Sequence, residues 1–334
     1  TLNKANNVSF IESISLTGDM VQLTGTGNTH FSKNAYAKSF NIKTQTITLD
    51  SGKEISTSAT NGDIKLFTDN LAISGFLDSG TGGITIAPLD ANRELFVCSG
   101  TCLTDANYDS GNPNHALYNI GGDFSYKANA FSIGSAGHLG NITLYQFNPS
   151  FDLSLATAGS INVSGVFTSN YSLSLEGSSG INISHNISTK GNQYYIGSLV
   201  LTDNDNKTAM TGVELTSSNG SITFDATINS ELDSVNELIT SKSFGLTLSA
   251  ASDIIFNKAV GEDLSKNKLE YLKILSNSNT KINSNISTKT DQNYEGRVFF
   301  TGNRQLNSEN IATKNGIKDD GGNITINGNW SYKG

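Results

Sequence analysis

One short pattern recurs along the chain: a glycine, a small or polar residue, then two apolar residues separated by one polar residue. It reads Gly62-Asp63-Ile64-Lys65-Leu66, Gly82-Gly83-Ile84-Thr85-Ile86, Gly140-Asn141-Ile142-Thr143-Leu144, Gly159-Ser160-Ile161-Asn162-Val163, Gly220-Ser221-Ile222-Thr223-Phe224 and Gly322-Asn323-Ile324-Thr325-Ile326. Each copy is a turn followed by a half-buried strand. Successive leading glycines, such as Gly62 and Gly82 or Gly140, Gly159 and Gly180, fall roughly twenty residues apart, a period that points to a solenoid rather than a globule. The expected fold is all-β, a parallel β-helix with extra-helical loops, with residues 1–334 as one domain.

Composition agrees with a thin core. Only 36% of residues are hydrophobic, beside 33 glycines, so much of the apolar share that a globular domain reaches with glycine counted is here backbone rather than side chain. Charged residues make up 16%, so solubility rests on Ser, Thr and Asn, which suit an extended backbone better than an exposed helix. The net charge of -8 argues against a phosphate-binding surface and hence against nucleic acid as a partner. No stretch approaches the roughly twenty apolar residues that cross a bilayer as a helix, so membrane insertion is not expected. Thr1 stands where an initiator Met would, which fits a processed chain or a piece of a longer array. Neither end carries a recognisable cap.

A longer repeat overlies the short one. Asn186-Ile187-Ser188-Thr189-Lys190 recurs as Asn285-Ile286-Ser287-Thr288-Lys289. Gln193, Tyr194 or Tyr195, and Gly197 are matched by Gln292, Tyr294 and Gly296. Residues 159–251 and 252–334 are read as two approximate copies of a unit of about one hundred residues. Leu232, Val235 and Leu238 lie at helical spacing, and 262–272 is similarly helix-tolerant; both read as short excursions at corners.

The rhythm breaks between Pro88 and Gly121. This segment, 89–120, reads as an excursion pinned by a small disulfide between Cys98 and Cys102, the alternative being two unlinked thiols. Long departures from a regular scaffold often carry binding groups, which makes Arg93, Tyr108, His115 and Tyr118 the candidate ligand contacts; the bland alternative is a loop that covers the side of the solenoid. No metal site is expected, because the histidines (His30, His115, His138, His185) lack ligand spacing. Asp203-Asn204-Asp205-Asn206-Lys207 fails as a calcium loop, with Lys207 at a ligand position and Thr208 where glycine is needed. Asp225, Asp253 and Glu262 are the acids that a carbohydrate-active β-helix could use, but Arg93, Arg297 and Arg304 lie far apart in sequence. No nucleophile elbow is present, and neither an enzyme nor a cofactor is expected. Asn-x-Ser/Thr sequons, among them Asn141, Asn162, Asn182, Asn186 and Asn285, are weak glycosylation candidates, since the composition alone generates many.

The Gly-x-Ile-x-apolar strands, the Gly83-Ile84-Thr85-Ile86-Ala87-Pro88 turn and the unit from Asn285-Ile286-Ser287-Thr288-Lys289 to Tyr294-Glu295-Gly296 resemble large secreted exoproteins of the filamentous-haemagglutinin type. These include the high-molecular-weight adhesins exported by two-partner secretion. The resemblance implies a right-handed β-helix on a Gram-negative cell surface. It also implies attachment to a host-cell receptor or glycan, and an outer-membrane secretion partner for the full-length protein. A structural shaft without its own ligand is the alternative.

Overall fold

The computed structural model describes residues 2–3, 7–23, 27–98, 112–145, 147–202, 212–231, 244–261, 268–275, 279–319 and 324–332. The described secondary structure is β throughout, and its sheets are parallel. The chain divides into two compact units, Thr1–Ile161 and Asn162–Gly334. From the start of the first unit to Phe76–Asp78, and in the second from Phe167–Ser169 to Ile228–Ser230, successive strands visit three sheets in turn, so that the next circuit adds one strand to each; from Gly245–Ala250 onward the described strands alternate between two sheets. This arrangement is consistent with a β-helix or another solenoid-like fold.

In the first unit, Phe40–Lys43, Ile64–Phe67, Gly83–Ala87 and Ala130–Gly134 pair in that order in one sheet. Register is exact along each row: Phe40, Ile64, Ile84 and Phe131 are partners, as are Ile42, Leu66, Ile86 and Ile133. All eight are buried. Strict alternation sends Asn41, Lys65 and Thr85 to the other face, which is the period-two consequence of the strand pleat. Each buried aliphatic or aromatic side chain contributes roughly 1.5–3 kcal/mol. In-register parallel pairing then places like on like, as in the second unit, where Tyr195, Phe224 and Phe256 stack at 5.1 and 5.4 Å.

The leading glycine of the motif is required by close approach. A Cβ on Gly82 would lie 2.6 Å from the carbonyl oxygen of Gly62, and one on Gly159 would lie 2.5 Å from that of Gly140. Corners of successive circuits thus stack backbone on backbone, a contact only glycine permits. The polar residue after the glycine has its own role. Asp63 Oδ1 accepts the N–H of Gly83 (3.1 Å), Asn141 Oδ1 that of Ser160 (3.0 Å) and Asn192 Oδ1 that of Ser221 (2.9 Å). Corner amides beyond the strand ladder are satisfied by the circuit before them.

The long repeat is not a repeat of position. Ile187–Thr189 and Gln193–Ile196 are separate strands in different sheets, whereas the matching stretch is one strand, Ile286–Tyr294, with a register shift between Ser287 and Asp291. One of the residues that differ stands at the corner. A Cβ on Gly191 would sit 2.4 Å from Ser172 Oγ and 2.8 Å from its backbone nitrogen; Thr290 stands at the matching place and cannot make that corner. What the copies share is internal chemistry. The buried Tyr195 hydroxyl donates to Gln193 Oε1 (2.8 Å), and that of Tyr294 to Gln292 Oε1 (3.0 Å).

One helical expectation is corrected in part. Leu269–Ile274 is a strand, with Leu269, Leu272 and Ile274 buried and a register irregularity between Leu269 and Tyr271. The extra residue lies on the partner strand, where Thr288 and Asp291 stand opposite Leu269 and Tyr271. Residues 232–243, 262–267 and 203–211 lie outside the described residues.

Candidate binding site around Pro88 to His115

The segment between Pro88 and Gly121 is less an excursion than a rearrangement of the stack. Glu94–Cys98 and His115–Ile120 are both ladder strands, and they pair with each other in parallel, Glu94 opposite His115 and Cys98 opposite Asn119. Their order is inverted relative to the chain: His115–Ile120 inserts between Asn70–Ile73 and Glu94–Cys98, and Ile142–Leu144 follows on the far side of the latter. Burial explains why both segments enter the sheet: Glu94–Cys98 is buried from Leu95 onward, and His115–Ile120 is buried at every second residue. Leu95 and Val97, and likewise Ala116, Tyr118 and Ile120, face the core. The structure therefore corrects the expectation of an extra-helical loop for 94–98 and 115–120. Residues 99–111, with Cys102 and Tyr108, lie outside the described residues.

The inversion brings Arg93 and His115 to neighbouring strand starts. Arg93 Nη1 lies 3.1 Å from Asp69 Oδ2, and Asp69 is only 1% exposed. Asp69 also accepts the N–H of Leu89 (3.1 Å) and a side-chain bond from Gln45 (3.3 Å). Burial pushes its carboxyl above the usual carboxylate range, with the Arg93 guanidinium pulling in the opposite direction. His115 packs on Phe96 with ring centroids 5.0 Å apart. Its Nε2 lies 3.0 Å from Asn112 Nδ2 and 3.5 Å from Glu94 Oε2. Tyr118, expected as a ligand contact, is instead fully buried; its hydroxyl donates to the carbonyl of Thr68 (3.0 Å) and burial holds its pKa well above the usual value. Cys98 is buried at the end of its strand, with Sγ 3.7 Å from the Tyr118 carbonyl oxygen.

Beside Arg93 lies a groove of about 210 Å³. One wall is a row of the first sheet, in which Lys43, Phe67 and Ala87 are partners in consecutive strands. The Lys43 ammonium stands 5.0 Å from the Phe67 ring centroid. The other wall consists of two stacked corners, Pro88, Leu89 and Ala91 from one and Ser135, Gly137 and His138 from the next. The Ala91 carbonyl accepts both the Leu139 and Gly140 N–H groups (2.6 and 3.0 Å), and a Cβ on Gly140 would fall 1.9 Å from the Arg93 carbonyl oxygen. These corners are clamped together. His138 is 2% exposed, and neither ring nitrogen completes a side-chain hydrogen bond. Burial lowers its pKa and keeps it neutral, an effect that the Asn141 backbone offsets only in part.

Sequence reasoning missed this groove because its residues come from four separate segments. The remaining acids are far from it in sequence and engaged: Asp253 meets Lys281 at 2.6 Å and Asp225 accepts from Asn257. Glu262 lies outside the described residues. The sequon asparagines act as structural caps or ladders. Asn186 Oδ1 accepts from Glu214 N–H (2.8 Å), Asn285 Oδ1 from Gln305 N–H (2.9 Å), and Asn182 donates to Asn162 Oδ1 (2.8 Å). Among the described residues, no cluster of three His, Cys, Asp or Glu side chains could hold a metal ion. No protein-family model, curated protein or solved structure matches the chain.

Proposed function

We propose that this chain is a non-catalytic attachment segment of a large bacterial surface exoprotein, folded as a right-handed parallel β-helix. Its contact with a host-cell receptor or glycan is carried by the region from Arg93 to His115. The supporting observation is the inverted strand order: an otherwise regular stack departs from chain order here, and the departure sets Arg93, Glu94 and His115 side by side. A guanidinium, a carboxylate and an imidazole at adjacent strand starts suit polar partners such as sugar hydroxyls or a charged protein surface. In this reading, a Cys98–Cys102 disulfide closes the turn that follows, as suits a secreted protein, and an outer-membrane partner exports the full-length chain.

The test is binding of the purified chain to host epithelial cells and to a glycan array, with His115→Ala and Glu94→Lys as variants. Both variants are expected to weaken binding by about tenfold, or 1.4 kcal/mol, while retaining a cooperative thermal transition. Binding unchanged in both would remove the site assignment. No binding by the parent chain would favour the structural shaft, a reading supported by Tyr118 and Arg93, whose polar groups are already taken up by Thr68 and Asp69.

A further inference from the structure

We infer that the groove between the Lys43–Phe67–Ala87 row and the stacked 88–91 and 135–138 corners is a binding site for a small organic carboxylate with an apolar body and a hydroxyl group. The first observation is His138. A buried imidazole whose two ring nitrogens complete no side-chain hydrogen bond, with the Asn141 backbone as the one group among the described residues acting on it, costs free energy, and this one lines the groove. A neutral imidazole offers one donor and one acceptor, the complement of a hydroxyl. The second is the wall. Phe67, Ala87, Pro88, Leu89 and Ala91 present apolar surface, which an aromatic or aliphatic body covers. The third is charge. Lys43 is exposed at the groove with its ammonium near the Phe67 ring, where it meets an anionic group. Size then limits the ligand: about 210 Å³ is below the roughly 300–1,000 Å³ of pockets for drug-sized molecules. The clamped corners make the site preformed, so little ordering cost is set against binding.

This site lies outside the Arg93–His115 contact, and its test is independent of attachment. The probe is 4-hydroxybenzoate, which carries a carboxylate, a flat apolar ring and a hydroxyl. It is titrated into the full chain labelled with carbon-13 histidine and followed by the ring resonances of each histidine. The expected result is a saturable shift of His138 at millimolar probe, with His185 unmoved. Binding is expected to weaken about tenfold, or 1.4 kcal/mol, in Lys43→Gln. Lys43 is exposed, so this variant retains the fold. The uncharged analogue 4-hydroxybenzyl alcohol should bind correspondingly worse. The inference is overturned by any of three results: no saturable His138 shift, equal affinity in Lys43→Gln, or equal affinity for the uncharged analogue.

Discussion

Replacing Arg93 by Met is expected to cost about 3–5 kcal/mol of stability at neutral pH, the range for removing one partner of a buried ion pair. The variant leaves the Asp69 carboxylate, 1% exposed, without its cation. Gln45 and the Leu89 amide still reach it, but neither supplies a charge. The loss should depend on pH in a defined direction. Asp69 already has a carboxyl pKa raised by burial and lowered by Arg93; without Arg93 it rises further. A carboxyl whose folded pKa exceeds its unfolded value destabilises while ionised, and that penalty is relieved as pH falls through the folded pKa. The variant takes up its proton at higher pH than the parent, so the stability gap is widest at neutral pH and narrows on acidification toward the ordinary aspartate pKa of 3.8. Denaturant unfolding of both proteins across that window measures it. A gap independent of pH would show that Asp69 is not the group left unpaired.

Phe124→Ala should destabilise the first unit by a similar amount, about 3–5 kcal/mol, the usual cost of emptying a buried phenylalanine site. Phe124 is fully buried at the centre of an aromatic cluster. Phe151 meets it edge-on at 4.9 Å, Phe131 lies at 6.1 Å, and Tyr126 stacks on Phe131 at 4.2 Å. The cluster also closes an edge. Ser125–Lys127 is the last strand of its sheet in this unit, and residues 147–152 cover it, with Ser150 Oγ donating to the Phe124 carbonyl (3.2 Å) and Tyr126 Oη to that of Asp152 (2.9 Å). An uncovered strand edge is a template for aggregation. The variant is therefore expected to lower the melting temperature and to increase scattering before the transition; a melting temperature equal to the parent's would contradict the packing described.

Much of the fold could be read from residue order because the pattern acts locally. Gly220 to Phe224 announces its strand, and Ile222 and Phe224 are buried as alternation requires. The reason for the glycine could not be read so directly. Sequence suggests freedom of φ, whereas Gly82 and Gly159 are held by the carbonyl oxygens of the preceding circuit, a contact no single strand reveals. The same limit hid the site. Arg93 read as a free cation because Asp69 belongs to an earlier circuit, and Tyr118 read as a surface aromatic because nothing near it specifies insertion beside Leu71. Its place in the row Leu71, Tyr118, Val97, Leu144 is a property of strand order, and strand order departs here from chain order. His138 read as one of four scattered histidines; its burial depends on corners drawn from distant segments.

Strand order is also the point at which the account is most exposed. Asn70 and Leu117 are partners in adjacent parallel strands, while Phe96 lies one strand farther away, opposite Leu117. The most direct measurement is cross-linking of paired cysteines placed at these positions, with Cys98 and Cys102 replaced. Strand neighbours fall within the Cα separation of about 4.4–6.8 Å that a disulfide spans, and next-nearest strands do not. The inverted order predicts that Asn70→Cys with Leu117→Cys forms a disulfide on mild oxidation and that Asn70→Cys with Phe96→Cys does not. Efficient linkage of 70 to 96, with none of 70 to 117, would place the strands in chain order and contradict the arrangement on which the candidate site rests.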